Sequence, residues 1–97
     1  MTNPASSEQI LEALKQLPGW SYEGNALNKD FEFHHFREAV SFIVRLSFEA
    51  EARNHHPEIH NVYNKVKLTL RTHDAGDQVT DKDLQLAEAI EGFSWVR

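Results

Sequence analysis

Glu58-Ile59-His60-Asn61-Val62-Tyr63-Asn64-Lys65-Val66-Lys67-Leu68-Thr69-Leu70-Arg71-Thr72-His73 reads as two strands and the turn that joins them. Val66, Leu68 and Leu70 alternate with Lys65, Lys67, Thr69 and Arg71, the period of a strand with one buried and one wet face. The spacing predicts strands from Glu58 to Tyr63 and from Val66 to His73. A two-residue turn at Asn64-Lys65 would pair Tyr63 with Val66, Asn61 with Leu68 and Ile59 with Leu70. That register superposes the apolar faces, as strand pairing requires. Followed outward, it sets His56 across from His73, and cross-strand Cβ atoms stand about 4.5–5.5 Å apart.

Upstream, Ser6 with Gln9 three residues on has the form of a capping box. Ile10, Leu11, Leu14 and Leu17 follow at helical spacing, and Pro18-Gly19 stops the helix. Trp20-Ser21-Tyr22 reads as a short strand, Glu23-Gly24-Asn25 as a turn, and Leu27 to His34 as a second strand with Phe31 and Phe33 on one face. A helix is expected over 36–54. Phe36, Val40, Ile43, Val44 and Ser47 mark one face of it, and Phe42, Leu46 and Phe48 add apolar surface beyond a single stripe. Such a helix needs two packing partners, and a second subunit is the expected one. Residues 74–79 form a loop around Gly76. Thr80 with Asp83 then starts a third helix carrying Leu84, Ala87, Ile90 and either Leu86 or Phe93 inward. The order α-β-β-α-β-β-α implies an α+β fold: an antiparallel sheet with helices on one face. Residues 1–97 make one domain, with 1–5 expected to fray.

The composition excludes several classes of function. No apolar run approaches the length of a membrane-spanning helix, and the N-terminus lacks the basic and apolar regions of a signal peptide. There is no cysteine, so neither a disulfide framework nor a thiolate zinc site can form. A net charge of −5 argues against a nucleic-acid surface. A cytoplasmic protein with no membrane or direct nucleic-acid partner is expected.

The chemistry concentrates in Glu51-Ala52-Arg53-Asn54-His55-His56-Pro57 and Thr72-His73-Asp74. Imidazole exchanges protons near neutrality, so converging histidines suit general acid–base work. Pro57 ends the helix and extends His56. Glu51 stands four residues before His55, one helix turn away, where a carboxylate would orient the ring. His55, His56, His60 and His73 are also imidazole donors for a metal, but no His-x-x-x-His helix pair with a matching acid accompanies them, so no metal is expected. The doublet His34-His35 at a strand-to-helix junction reads as one inward and one outward ring. Asp83 reads first as the partner of the Thr80 cap.

Taken together, Glu51-x-x-x-His55-His56-Pro57-Glu58, Asn61-Val62-Tyr63-Asn64-Lys65-Val66, Leu70-x-Thr72-His73, Gly76 and Asp83-Leu84-x-Leu86-Ala87 resemble the pterin-4a-carbinolamine dehydratase family over nearly the whole chain. The resemblance implies a four-stranded antiparallel sheet carrying three helices and assembly into homodimers or homotetramers. It implies loss of water from a 4a-hydroxytetrahydropterin to give quinonoid dihydropterin. That step serves aromatic amino-acid hydroxylases and uses neither metal nor cofactor. Carried over by position, His55 and His73 are the acid–base pair and His56 assists. Glu51, Pro57, Thr72, Asp74, Ala75 and Asp83 fall at the substrate site. Animal members of the family also act as dimerisation cofactors of a homeodomain transcription factor.

Overall fold

The hairpin forms, but its turn lies one residue earlier. In the computed structural model, which describes residues 3–93, β3 (Glu58–Val62) and β4 (Lys65–Leu70) flank a turn at Tyr63 and Asn64. Val62 pairs with Lys65, Asn61 with Val66 and Ile59 with Leu68. The expected register is thus displaced by two residues along the partner. Faces are preserved because side chains alternate with period two. Extended outward, position 56 falls across from 71, so the expected His56–His73 pairing is corrected. The reason is tertiary. Asn64 is held against the strand beyond: its carbonyl accepts from Phe33 N–H and its Nδ2 donates to the Phe33 carbonyl, both at 2.8 Å. Tyr63 takes a left-handed φ of 51° to allow this, a conformation a bulky residue rarely adopts without such support.

Before the hairpin the chain builds α1 (Ser7–Leu14), β1 (Ser21–Glu23), β2 (Ala26–Glu32) and α2 (Phe36–Arg53); after it come a 3-10 turn (His73–Ala75) and α3 (Asp81–Phe93). The strands form one antiparallel sheet in the order β1-β2-β4-β3. The expected element order and fold class hold. The capping box forms in both directions, with Ser6 Oγ accepting from Gln9 N–H and Gln9 Oε1 from Ser6 N–H. Gly24 and Asn25 both have φ of 60°, the backbone that a tight hairpin turn matching the strand twist demands. Of residues 1–5, expected to fray, Met1 and Thr2 lie outside the described residues, while Pro4 bridges to Thr80 and Ala5 N–H donates to the Val79 carbonyl at 2.8 Å.

The core lies between the sheet and the helices. Leu27 and Phe31 of β2 and Val66, Leu68 and Leu70 of β4 pack with Phe42 and Leu46 of α2 and Leu86 and Ile90 of α3. Each fully buried leucine or phenylalanine contributes about 1.5–3 kcal/mol. Leu86, rather than the half-buried Phe93, is the fully buried residue of the pair offered as alternatives for α3. On α2 the two apolar faces separate. Ala39, Phe42, Leu46 and Ala50 enter the core, while Phe36, Val40, Val44 and Phe48 remain exposed. Leu11 of α1 is exposed as well.

Two polar devices close the ends. Lys29 Nζ reaches across to Glu91 Oε2 of α3 at 2.6 Å and to the Pro18 carbonyl at 2.8 Å. Trp20 Nε1 donates to the same Glu91 oxygen at 2.9 Å. At the start of α2, His35 is the N-cap, its Nδ1 accepting from Glu38 N–H. His34 and His35 are both exposed, which corrects the expected inward–outward split: their job is local, at the helix end.

Candidate active site

The end of α2 sorts the doublet His55-His56. Asn54 turns the chain through the left-handed region (φ 49°), where asparagine is the best-tolerated residue after glycine. The backbone then runs extended, so His55 and His56 point to opposite sides. His55 goes inward and is 8% exposed, while His56 stays in solvent. Because the helix stops before His55, Glu51 is not brought to that ring. Glu51 Oε1 lies instead 3.1 Å from His56 Nε2, which corrects the expected Glu51–His55 pair.

The carboxylate on His55 comes from α3. His55 Nε2 and Asp83 Oδ1 are 2.5 Å apart, and Asp83 has no exposed surface. The second Asp83 oxygen accepts from Thr72 Oγ1 at 2.8 Å and from Thr80 N–H at 2.9 Å. Asp83 does cap α3, as its spacing from Thr80 suggested, and the same carboxylate orients His55. An aspartate this buried has no surface to offer a substrate.

The third ring, His73, opens the 3-10 turn. Its Nδ1 meets Asp77 Oδ1 at 2.9 Å. The bond to Asp77 and the negative charges of Asp77 and Asp74 raise the His73 pKa above its ordinary value, since each favours the protonated ring. Each of these three histidines therefore has a carboxylate of its own: Asp83 on His55, Glu51 on His56, Asp77 on His73.

The three rings line one cleft of about 210 Å³. Of the residues expected at the site, His55, His56, Thr72, His73 and Asp74 border it. Glu51, Pro57, Ala75 and Asp83 are not among the lining residues: Glu51 and Asp83 contact the rings of His56 and His55, Pro57 is half-buried, and the Ala75 carbonyl accepts from Gln78 Nε2. Asn54, Arg71 and Lys82 border the cleft and were not anticipated. Nor was Asp77, although its place four residues after His73 was a visible signal. His60 lies outside the cleft. With Asp30, Glu32, Val62, Lys65 and Lys67 it lines a groove of about 520 Å³ on the sheet face opposite the core. There Asp30 stands opposite Lys67 and Glu32 opposite Lys65, so the charges match across strands rather than converge on one point. Among the described residues no group of three His, Asp or Glu side chains is gathered to hold a metal ion.

Comparison with known proteins bears on this arrangement. The family model described as pterin 4 alpha carbinolamine dehydratase matches residues 3–93. A protein of Opitutus terrae is 55% identical over 87 residues, covering 90% of each chain. One of Christiangramia forsetii is 46% identical over 91 residues, covering 94% of this chain and 93% of its own. Both carry the provisional name pterin-4-alpha-carbinolamine dehydratase. The crystal structure described as a transcriptional coactivator/pterin dehydratase from Brucella melitensis superposes with a TM-score of 0.87 at 34% identity, covering 93% of this chain and 97% of that one.

Proposed function

The chain belongs to the pterin 4 alpha carbinolamine dehydratase family, and from that premise we propose that it removes water from a 4a-hydroxytetrahydropterin by histidine acid–base catalysis. The observation that carries the mechanism is the set of three histidines on one cleft, each with its own carboxylate. The reaction balances with two proton transfers. A proton is added to the C4a hydroxyl, the C4a–O bond breaks, and water leaves. The N5 lone pair forms the new C4a=N5 bond, and the proton on N5 is taken up. Proton donation and acceptance by positioned imidazoles supply about 10²–10⁴-fold.

Two environments divide the roles. His73, held toward its protonated form by Asp77 and Asp74, is the donor to the departing hydroxyl. His55, turned inward against Asp83, is the acceptor for the N5 proton. His56, kept at the rim by Glu51, holds the pterin. Asp74 and Arg71 border the same opening. The test is direct: generate the 4a-hydroxypterin with an aromatic amino-acid hydroxylase, the enzyme class this step would serve, and follow its decay by absorbance. The protein accelerates decay above the spontaneous rate, and turnover survives exhaustive chelation. Decay at the spontaneous rate sinks the reading.

Assembly belongs to the same proposal. Phe36, Val40, Val44 and Phe48 recur every four residues along α2 and are 36–66% exposed. A homodimer or homotetramer that buries this stripe against its copy removes apolar surface from water. Among the described residues no helix is long and apolar enough to cross a membrane, and the place of action proposed is the cytoplasm.

A further inference from the structure

The donors behind Asp83 can be counted to a single arrangement. Thr72 Oγ1 lies 2.8 Å from Asp83 Oδ2 and 2.6 Å from Thr80 Oγ1. A hydroxyl carries one proton, and a carboxylate oxygen accepts. The Thr72 proton therefore points at Asp83, and the contact between the two threonines is filled by the Thr80 proton. Thr80 Oγ1 in turn accepts from Lys82 N–H at 3.2 Å. Thr80 N–H donates to Asp83 Oδ2 as well, at 2.9 Å. Thr72, Thr80 and Asp83 are 3%, 0% and 0% exposed, so water does not compete for these bonds.

The chain of donors runs one way, from Thr80 through Thr72 into Asp83, and it ends on Oδ2. Oδ1 is left facing His55 Nε2 at 2.5 Å. A carboxyl group is a far stronger acid than an imidazole N–H, and two donors on Oδ2 favour its charged form further, so the carboxylate is an acceptor at Oδ1 too and the proton between them belongs to the ring. Neutral His55 then carries its hydrogen on Nε2 and a bare lone pair on Nδ1.

We propose that Thr80 and Thr72 are positioning residues whose hydroxyl chain locks the Asp83 carboxylate, fixes the tautomer of His55 and so designates Nδ1 as the nitrogen that receives the substrate's proton. The assignment of Nδ1 as base rests on the dehydratase reading; the tautomer does not. It also takes the Thr72 hydroxyl away from the substrate, since its proton is committed to Asp83.

The experiment is long-range proton–nitrogen NMR of the full chain labelled with ¹⁵N, with His55→Gln for assignment. The wild type shows a protonated Nε2 and an unprotonated Nδ1 on His55, with a slowly exchanging Nε2–H signal. Thr72→Val and Thr80→Val keep the shape but remove a hydroxyl. Each speeds exchange of that signal with water, and lowers turnover, by about tenfold, the scale of one hydrogen bond to a charged group. Thr72→Ser and Thr80→Ser restore both. A wild-type His55 protonated on Nδ1 overturns the proposal at once, even if a valine variant does not fold. Valine variants with unchanged exchange and turnover overturn it too, leaving the hydroxyls a packing role. A wild type with the assigned tautomer but no dehydratase turnover removes the base role and leaves the lock standing.

Discussion

His55 and Asp83, 28 residues apart in the chain, meet in the interior with Nε2 and Oδ1 at 2.5 Å. The pair joins the end of α2 to the first turn of α3, and it makes the cap of one helix the orienting group of a site at the end of another. Under the proposed mechanism, structure and chemistry are therefore coupled at Asp83. Asp83→Ala strands a buried hydroxyl and a buried N–H and costs about 1–3 kcal/mol or more, read as a lower midpoint in urea. Asp83→Asn keeps the shape but presents an amide N–H to the ring, which forces the opposite tautomer. Its kcat falls by about 10²–10⁴-fold with a much smaller loss of stability. Equal loss of stability in both variants would contradict the orienting role.

The His73–Asp77 pair makes a pH prediction. The His73 pKa is raised in the folded protein, first by the bond to Asp77 and then by the charges of Asp77 and Asp74. A raised pKa means that the folded state binds the proton more tightly. Its contribution to stability is fully present below the unfolded pKa and is lost as pH rises through the higher folded value. With His73 as the acid, kcat falls over that same upper window. Asp77→Asn lowers the pKa, moving the descending limb of activity and the NMR titration of His73 to lower pH together. If both stay in place, the pairing has no functional weight.

In the proposed reaction His55 is the acceptor and His73 the donor. His55→Ala and His73→Ala each reduce kcat by about 10²–10⁴-fold. Groups that work as a unit are not additive, so the double variant loses less than the product of the two effects. Steady-state kinetics on the four proteins of this cycle decides it. Equal damage from His34→Ala, at the other end of α2, would place the site elsewhere.

The Glu91 carboxylate ties α3 to Lys29 and Trp20. The Lys29 and Glu91 side chains are only 14% and 21% exposed, so this is a partly buried pair rather than a surface one. Glu91→Ala leaves a half-buried ammonium and an indole N–H short of a partner and lowers stability by about 1–3 kcal/mol. Chemical denaturation measures it. Because Glu91 does not border the cleft, kcat at a temperature well below unfolding stays at the wild-type value.

The exposed α2 stripe predicts the mass in solution. Sedimentation of the wild type gives a dimer or tetramer. Val44→Glu with Phe48→Glu sets charges in the middle of the stripe and yields monomer. A wild-type monomer would remove the assembly from the proposal.

Much of this architecture was legible because short-range physics dictates it. Period-two alternation places Val66, Leu68 and Leu70 inward, Ser6 and Gln9 start α1, and Gly24-Asn25 turns the first hairpin. The hairpin register was missed because a shift of two residues leaves every side chain on the same face. Alternation alone cannot separate the two pairings; the contact of Asn64 with Phe33, 31 residues away, does. Glu51 was assigned to His55 on helical spacing, and the left-handed turn at Asn54 ends that spacing before His55 is reached.

By itself the sequence determined the element order, the buried strand faces, and the histidines and carboxylates at hand, since each depends on residues within a few positions of one another. Only the tertiary structure decided which carboxylate serves which imidazole. Asp83 reaches His55 because α3 packs beside α2, and Thr72 and Thr80 saturate its second oxygen because the segment between them folds back on itself at a Thr72–Gln78 bridge. Hydrogen bonds last only a few ångströms, so a pairing across 28 residues exists only once packing has brought the two groups together.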